Sequence, residues 1–230
     1  MDTLEIIAII SLILAGLSAL AILYDIYISG NRQKMGIMEV VWPVTALYFG
    51  PFGVWAYWVM GRKSTKKSDQ SKQGGMQGKH KEKPFWQTVA VAVTHCGGGC
   101  TLGDIIAELA LFLLAIEIAG MAIWPELIGD YILAYALGII FQYFAIAPMR
   151  DLSVGEGVIA AIKADTLSLT AFEIGLFGWM LLMRFVFFDP PLHPDEPTYW
   201  FMMQIGMVLG YFTSYPMNWW LVRKGIKEAM

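Results

Sequence analysis

Residues 85–124, FWQTVAVAVTHCGGGCTLGDIIAELALFLLAIEIAGMAIW, form an apolar run with polar chemistry set into its middle. A bilayer crossing takes about 20 apolar residues, and this run offers roughly twice that length. Both cysteines of the chain lie in it, within His95-Cys96-Gly97-Gly98-Gly99-Cys100-Thr101, and Asp104 and Glu108 follow one and two helical turns after Cys100. Thiols, an imidazole and carboxylates are costly at such depth unless they find partners, so the segment is a functional-site candidate by default. Three consecutive glycines, each about 1 kcal/mol worse than alanine in a helix, predict a break at Gly97–Gly99. Thr101 then caps a new helix with Asp104 at its third position, a favourable place for a carboxylate.

The rest of the chain has the same character. Of its 230 residues 57% are hydrophobic and 15% charged, and the charges cluster in short segments, the pattern of an integral membrane protein. The expected fold is all-α, a polytopic helical bundle of about six transmembrane helices over 5–28, 37–60, 85–123 (interrupted), 127–148, 158–187 and 198–222. No strand alternation suggests a barrel, so helices are the remaining solution in lipid. Met1 to Glu5 lack the basic flank and cleavage site of a secretory signal, and Ile6 to Ile28 reads as a retained span. Three regions follow: 1–60 with two N-terminal helices, a basic linker at 61–84, and a four-helix membrane domain at 85–230.

The linker carries Arg62, Lys63, Lys66, Lys67, Lys72, Lys79, Lys81 and Lys83, which by the positive-inside rule face the cytoplasm. Both termini then lie on that side of an inner membrane. Arg150, Arg223, Lys224 and Lys227 join them, while Glu126, Asp130 and the 189–197 loop fall outside; Arg32 and Lys34 dissent. The Ser/Gly/Lys composition reads as a disordered, solvated loop, or else as a contact for anionic lipid or a metal tether through Met76 and His80. Trp42, Trp55, Trp58, Trp86, Trp124, Trp200, Trp219 and Trp220 fall mostly near span ends, as interface anchors do.

A neutral imidazole and two thiolates suit a soft or borderline ion, which makes His95, Cys96 and Cys100 candidate ligands, with Cu(I) favoured and Zn(II) also compatible. Asp104 and Glu108 would support the ligands or take up protons released on binding. Lys163, Asp165, Thr170 and Glu173 on the fifth span are candidates for a polar lining or gate. Gln142, Tyr143, Ser214, Tyr215 and Asn218 are placed to assist, and Met203 with Met207 could add thioether. Each feature also has a plainer reading: buried cysteine as packing, Gly99-x-x-x-Gly103 as a helix contact, and Lys163 with Asp104 as a structural ion pair. Glu39, Glu117 and Arg184 lie nearer span ends, where they can snorkel.

Phosphate-loop, haem-attachment, dinucleotide and nucleophile-elbow motifs are all missing, so nothing supports ATP hydrolysis, nucleotide binding or serine hydrolysis. The partners expected are the bilayer, a metal ion, and a second copy or a membrane complex, with no nucleic acid.

Thr94 to Asp104 (THCGGGCTLGD), Lys163 to Glu173 (KADTLSLTAFE) and Ser214 to Trp220 (SYPMNWW) together resemble a prokaryotic multi-pass membrane family catalogued as a domain of unknown function. The resemblance covers most of the chain from Pro84 onward and also Trp42 to Pro51. Some members of that family carry a copper-related label, so the resemblance implies a link to copper and no mechanism. Three readings result. The first is a membrane protein that binds and moves a soft transition-metal ion through a His/Cys/Cys site. The second is a membrane thiol-disulfide oxidoreductase working through Cys96 and Cys100. The third is a structural or assembly subunit of a membrane complex.

Overall fold

The first helix, α1 (Thr3–Leu23), starts where the Asp2 carboxylate accepts the Thr3 amide proton at 2.6 Å, and it continues as a wider π turn to Ile28. Ile6, Ile10, Ile13, Leu17 and Leu20 point outward, while Ala8, Ala15, Ala19 and Ile22 face the bundle. That inversion, large apolar groups outside and small ones inside, is what lipid permits and water does not. The computed structural model describes residues 2–62 and 84–227. Most of the basic linker, with Met76 and His80, lies outside the described residues.

The expected second span is two helices, α2 (Met38–Phe49) and α3 (Pro51–Ala56). Gly50 joins them with φ +56° and ψ −135°, a conformation closed to ordinary side chains, and Pro51 opens α3 at a position that needs no amide donor. A π turn, Tyr57–Gly61, extends α3.

Helix α4 (Phe85–Leu114) corrects the sequence reading, because its thirty residues run unbroken through Gly97–Gly99. A Cβ on Gly99 would lie 2.9 Å from the Gly138 Cα, and one on Gly103 would overlap the Ala134 backbone. These glycines let two backbones touch. Close packing against α5 (Ile123–Arg150) outweighs their poor intrinsic propensity. Helix α4 also stops earlier than the apolar run, at Ala115 with φ +48°.

Two long helices follow α5 and complete the bundle: α6 (Val154–Leu182, with a π turn to Phe187) and α7 (Pro197–Arg223). Ser153 and Glu156 form a reciprocal capping box at the start of α6. The broadest packing is α4 on α5 and α6 on α7; α5 also meets α6, α4 meets α7 and α2, and α1 lies on α2 and α7. Among the described residues the fold is therefore all-helical, with seven α-helices and no strand.

Among the described residues four helices are long and apolar enough to cross a membrane: α1 with its extension, α4, α5 and α6. Helix α7 is 27 residues long but is not among them, since it buries Thr198, Gln204, Ser214 and Asn218 along its inner face. Trp55, Trp58, Trp86, Trp124, Trp219 and Trp220 are exposed. Trp42 is not an anchor; it is buried against the Tyr57 ring, 5.7 Å between centroids.

Candidate functional site: a buried polar column

Four-residue spacing places Cys96, Cys100, Asp104 and Glu108 one above another on the inner face of α4, none more than 2% exposed. His95, one position earlier, turns about 100° away toward α5 and α6. Its ring lies 6.5 Å from that of Phe141, beside Gln142, and within electrostatic reach of Asp165 and Lys227. The unbroken helix thus separates the imidazole from the thiols. Among the described residues no group of three or more His, Cys, Asp or Glu side chains is arranged to hold a metal ion.

The neighbouring helices line the other sides. Helix α6 contributes Asp165, Ser168 and Glu173, α5 contributes Asp130 and Gln142, and α7 contributes Tyr199, Ser214 and Asn218, all buried. Glu173 adjoins Cys100, Asp104 lies between Glu173 and Glu108 in electrostatic terms, and Glu108 adjoins Asp130 and Tyr199. The four carboxyl groups lie within electrostatic reach of one another. Neither oxygen of Asp104 makes a hydrogen bond among the described residues, while Glu173 lies against Cys100 and Glu108 against Asp130 and Tyr199.

At one end of the column Tyr199 also lines a small cavity with Glu126, Arg184 and Met202, with about 20 Å³ of free volume, enough for one water molecule. At the other end sits Lys227, whose side chain is fully buried and donates to Asp165 Oδ1 at 2.8 Å and to Ser168 Oγ at 3.3 Å. Burial works against its charge, but the Asp165 carboxylate beside it outweighs this, and the ammonium holds its proton more tightly than an ordinary lysine.

Several sequence expectations meet a different outcome. Lys163 is exposed, since two positions along a helix amount to about 200° of turn and only Asp165 faces inward. The cation paired inside is Lys227, which the sequence reading assigns to a cytoplasmic tail. Thr170 is half-buried and meets the Tyr131 hydroxyl at 3.0 Å, so it joins α6 to α5 instead of lining the column. Glu39 does not snorkel but is buried and paired with Arg32 at 2.8 Å. Tyr143 and Tyr215 are only half-buried, and the Tyr215 hydroxyl bonds the Trp86 carbonyl. Met203 and Met207 pack in one apolar cluster with Cys96 and Cys100. Asp130 is buried, and sequence reasoning misses both it and Tyr199 as site residues; the four-residue step from Glu126 to Asp130 on a helix is the available signal.

Fold and column together define a helical bundle of the membrane-crossing kind with a titratable interior. The chain belongs to the family described as Domain of unknown function (DUF4396), which matches residues 85–227, from the start of α4 to Lys227 itself. Helices α1 to α3 lie outside that match. No curated protein and no solved structure matches the chain.

Proposed function

We propose that this protein is a membrane transport protein that carries protons along the column of Glu173, Asp104, Glu108 and Asp130. One observation carries the reading: four buried carboxyl groups lie within electrostatic reach of one another with no cation paired to them among the described residues, and neither oxygen of Asp104 has a hydrogen-bond partner there. Charge at these positions must be neutralised by protons or by a cation from outside, because each uncompensated carboxylate in such surroundings costs several kcal/mol. Chains of buried acids inside helical bundles are a recurrent route for protons. In this reading α2 with α3 makes one crossing and α7 another, for six in all. The Lys-rich linker and the chain ends then lie on the cytoplasmic face of an inner membrane.

The test is proton flux into vesicles holding the purified protein and a pH-sensitive dye. The wild type should dissipate an imposed pH gradient faster than empty vesicles, and Asp104→Asn or Glu173→Gln should each slow it tenfold or more. Wild-type flux equal to that of empty vesicles refutes the reading.

A soft-metal cargo is a second reading, favoured by the thiols of Cys96 and Cys100 lying one turn apart in a cluster with Met203 and Met207. The His95 ring turns toward Phe141 and Gln142 instead, away from these thiols. Copper bound stoichiometrically under reductant, and lost in Cys96→Ser or Cys100→Ser, would support it. Burial of both thiols weighs against exchange with a partner's disulfide.

A further inference from the structure

Lys227 reaches the interior through a turn built for that purpose. Helix α7 ends in a Schellman arrangement: the Ile226 amide donates to the Leu221 carbonyl at 3.0 Å, the Gly225 amide to Val222 at 3.0 Å, and Gly225 itself has φ +69°. The chain is thereby thrown back toward α6, and the next side chain enters the bundle.

The place it enters is lined for a cation. Asp165 supplies a carboxylate and Ser168 a hydroxyl oxygen to the ammonium. Asn218 Nδ2 donates to Ser168 Oγ at 2.6 Å and to Ser214 Oγ at 2.8 Å, which fixes these oxygens in position. More acceptors remain than Lys227 uses. Asp165 Oδ2 and Asn218 Oδ1 are buried with no hydrogen-bond partner among the described residues, and the His95 and Gln142 side chains lie against each other within electrostatic reach of Lys227. A salt bridge made only for stability does not need this surplus, whereas a pocket that admits a hydrated or protonated guest does.

We infer that this pocket is a binding site for a small monovalent cation of the primary-ammonium type, and that Lys227 fills it as a tethered occupant that closes the column at this end. The closing role rests on the transport reading given above; the binding role does not. Withdrawal of Lys227 exposes Asp165, His95 and Gln142 and connects the column to that side of the membrane.

Two measurements on the full chain separate these parts. In detergent, Lys227→Ala should show a saturable rise in melting temperature with methylammonium chloride but not with tetramethylammonium chloride at equal ionic strength. Wild type and Lys227→Ala/Asp165→Asn should show none. A Lys227→Ala protein that responds equally to the two salts overturns the pocket. In vesicles, Lys227→Ala should pass protons at least tenfold faster than wild type, and flux equal to or below wild type overturns the plug. If every protein matches empty vesicles, the transport reading and the plug fail together, while the melting data still decide the pocket. Should Lys227→Ala not fold alone, recovery in methylammonium and not in tetramethylammonium reports on the pocket. Gly225→Ala, which strains the turn and keeps every pocket residue, then carries the flux measurement with the same expected increase.

Discussion

Asp104 and Asp165 are both fully buried aspartates, yet their surroundings assign them opposite consequences. Asp165 holds an ammonium at 2.8 Å, so Asp165→Asn strands a buried cation and should cost about 3–5 kcal/mol. Asp104 has no cation to strand, and Asp104→Asn exchanges an unpartnered carboxyl for an amide of nearly the same shape. It should leave the melting temperature within about 1 °C of wild type or raise it slightly, below the shift of about 2–4 °C that each kcal/mol brings to a chain of this size. Thermal denaturation of the two variants side by side checks the contrast, and an Asp104→Asn protein as unstable as Asp165→Asn would mean that Asp104 has a structural partner. Much of this is legible in the sequence: helical spacing alone stacks Cys96, Cys100, Asp104 and Glu108 and draws attention to Asp165 and Glu173. The identity of the buried cation is not. Lys163 has the right position in sequence and the wrong phase on the helix, whereas Lys227 depends on a reversal after α7 that only the glycine at 225 hints at.

Helices in this bundle are shaped by how near their backbones come, and the glycines of α4 show it. Intrinsic propensity favours a break at Gly97–Gly99, but α5 lies so close at Gly138 and Ala134 that a continuous α4 can pack against it from turn to turn. The Gly99-x-x-x-Gly103 pattern is readable as packing, and in this helix packing prevails over propensity. The actual break, Gly50-Pro51, is present as a turn dipeptide inside an apolar span. Gly103→Ala places a Cβ against backbone atoms that cannot yield and should cost about 1–3 kcal/mol. Gly98→Ala meets only the Val41 side chain and Cα at 3.2 Å and beyond, and should cost less. Equal losses in a denaturation series would show that propensity, not contact with α5, governs this helix.

The whole molecule joins a lipid-facing apolar shell to a polar interior that runs from Lys227, past the thiols, to the cavity at Tyr199, Glu126 and Arg184. Its orientation is open to a simple check. In intact cells a cysteine at Gly155 should be protected from an impermeant thiol reagent and one at Asp195 should label, with the reverse pattern inverting the topology; Cys96 and Cys100 are buried and need only be replaced by serine as a control. The column itself makes the larger claim, that what moves through the bundle is the proton. The direct test is the reversal potential of the conductance that the purified protein gives a planar bilayer. A proton path predicts a reversal potential that follows an imposed pH gradient by about 59 mV per unit, the value for one charge per particle, and ignores gradients of sodium, potassium or chloride. A reversal potential that follows any of those salts, or a conductance unchanged in Glu173→Gln, would contradict it.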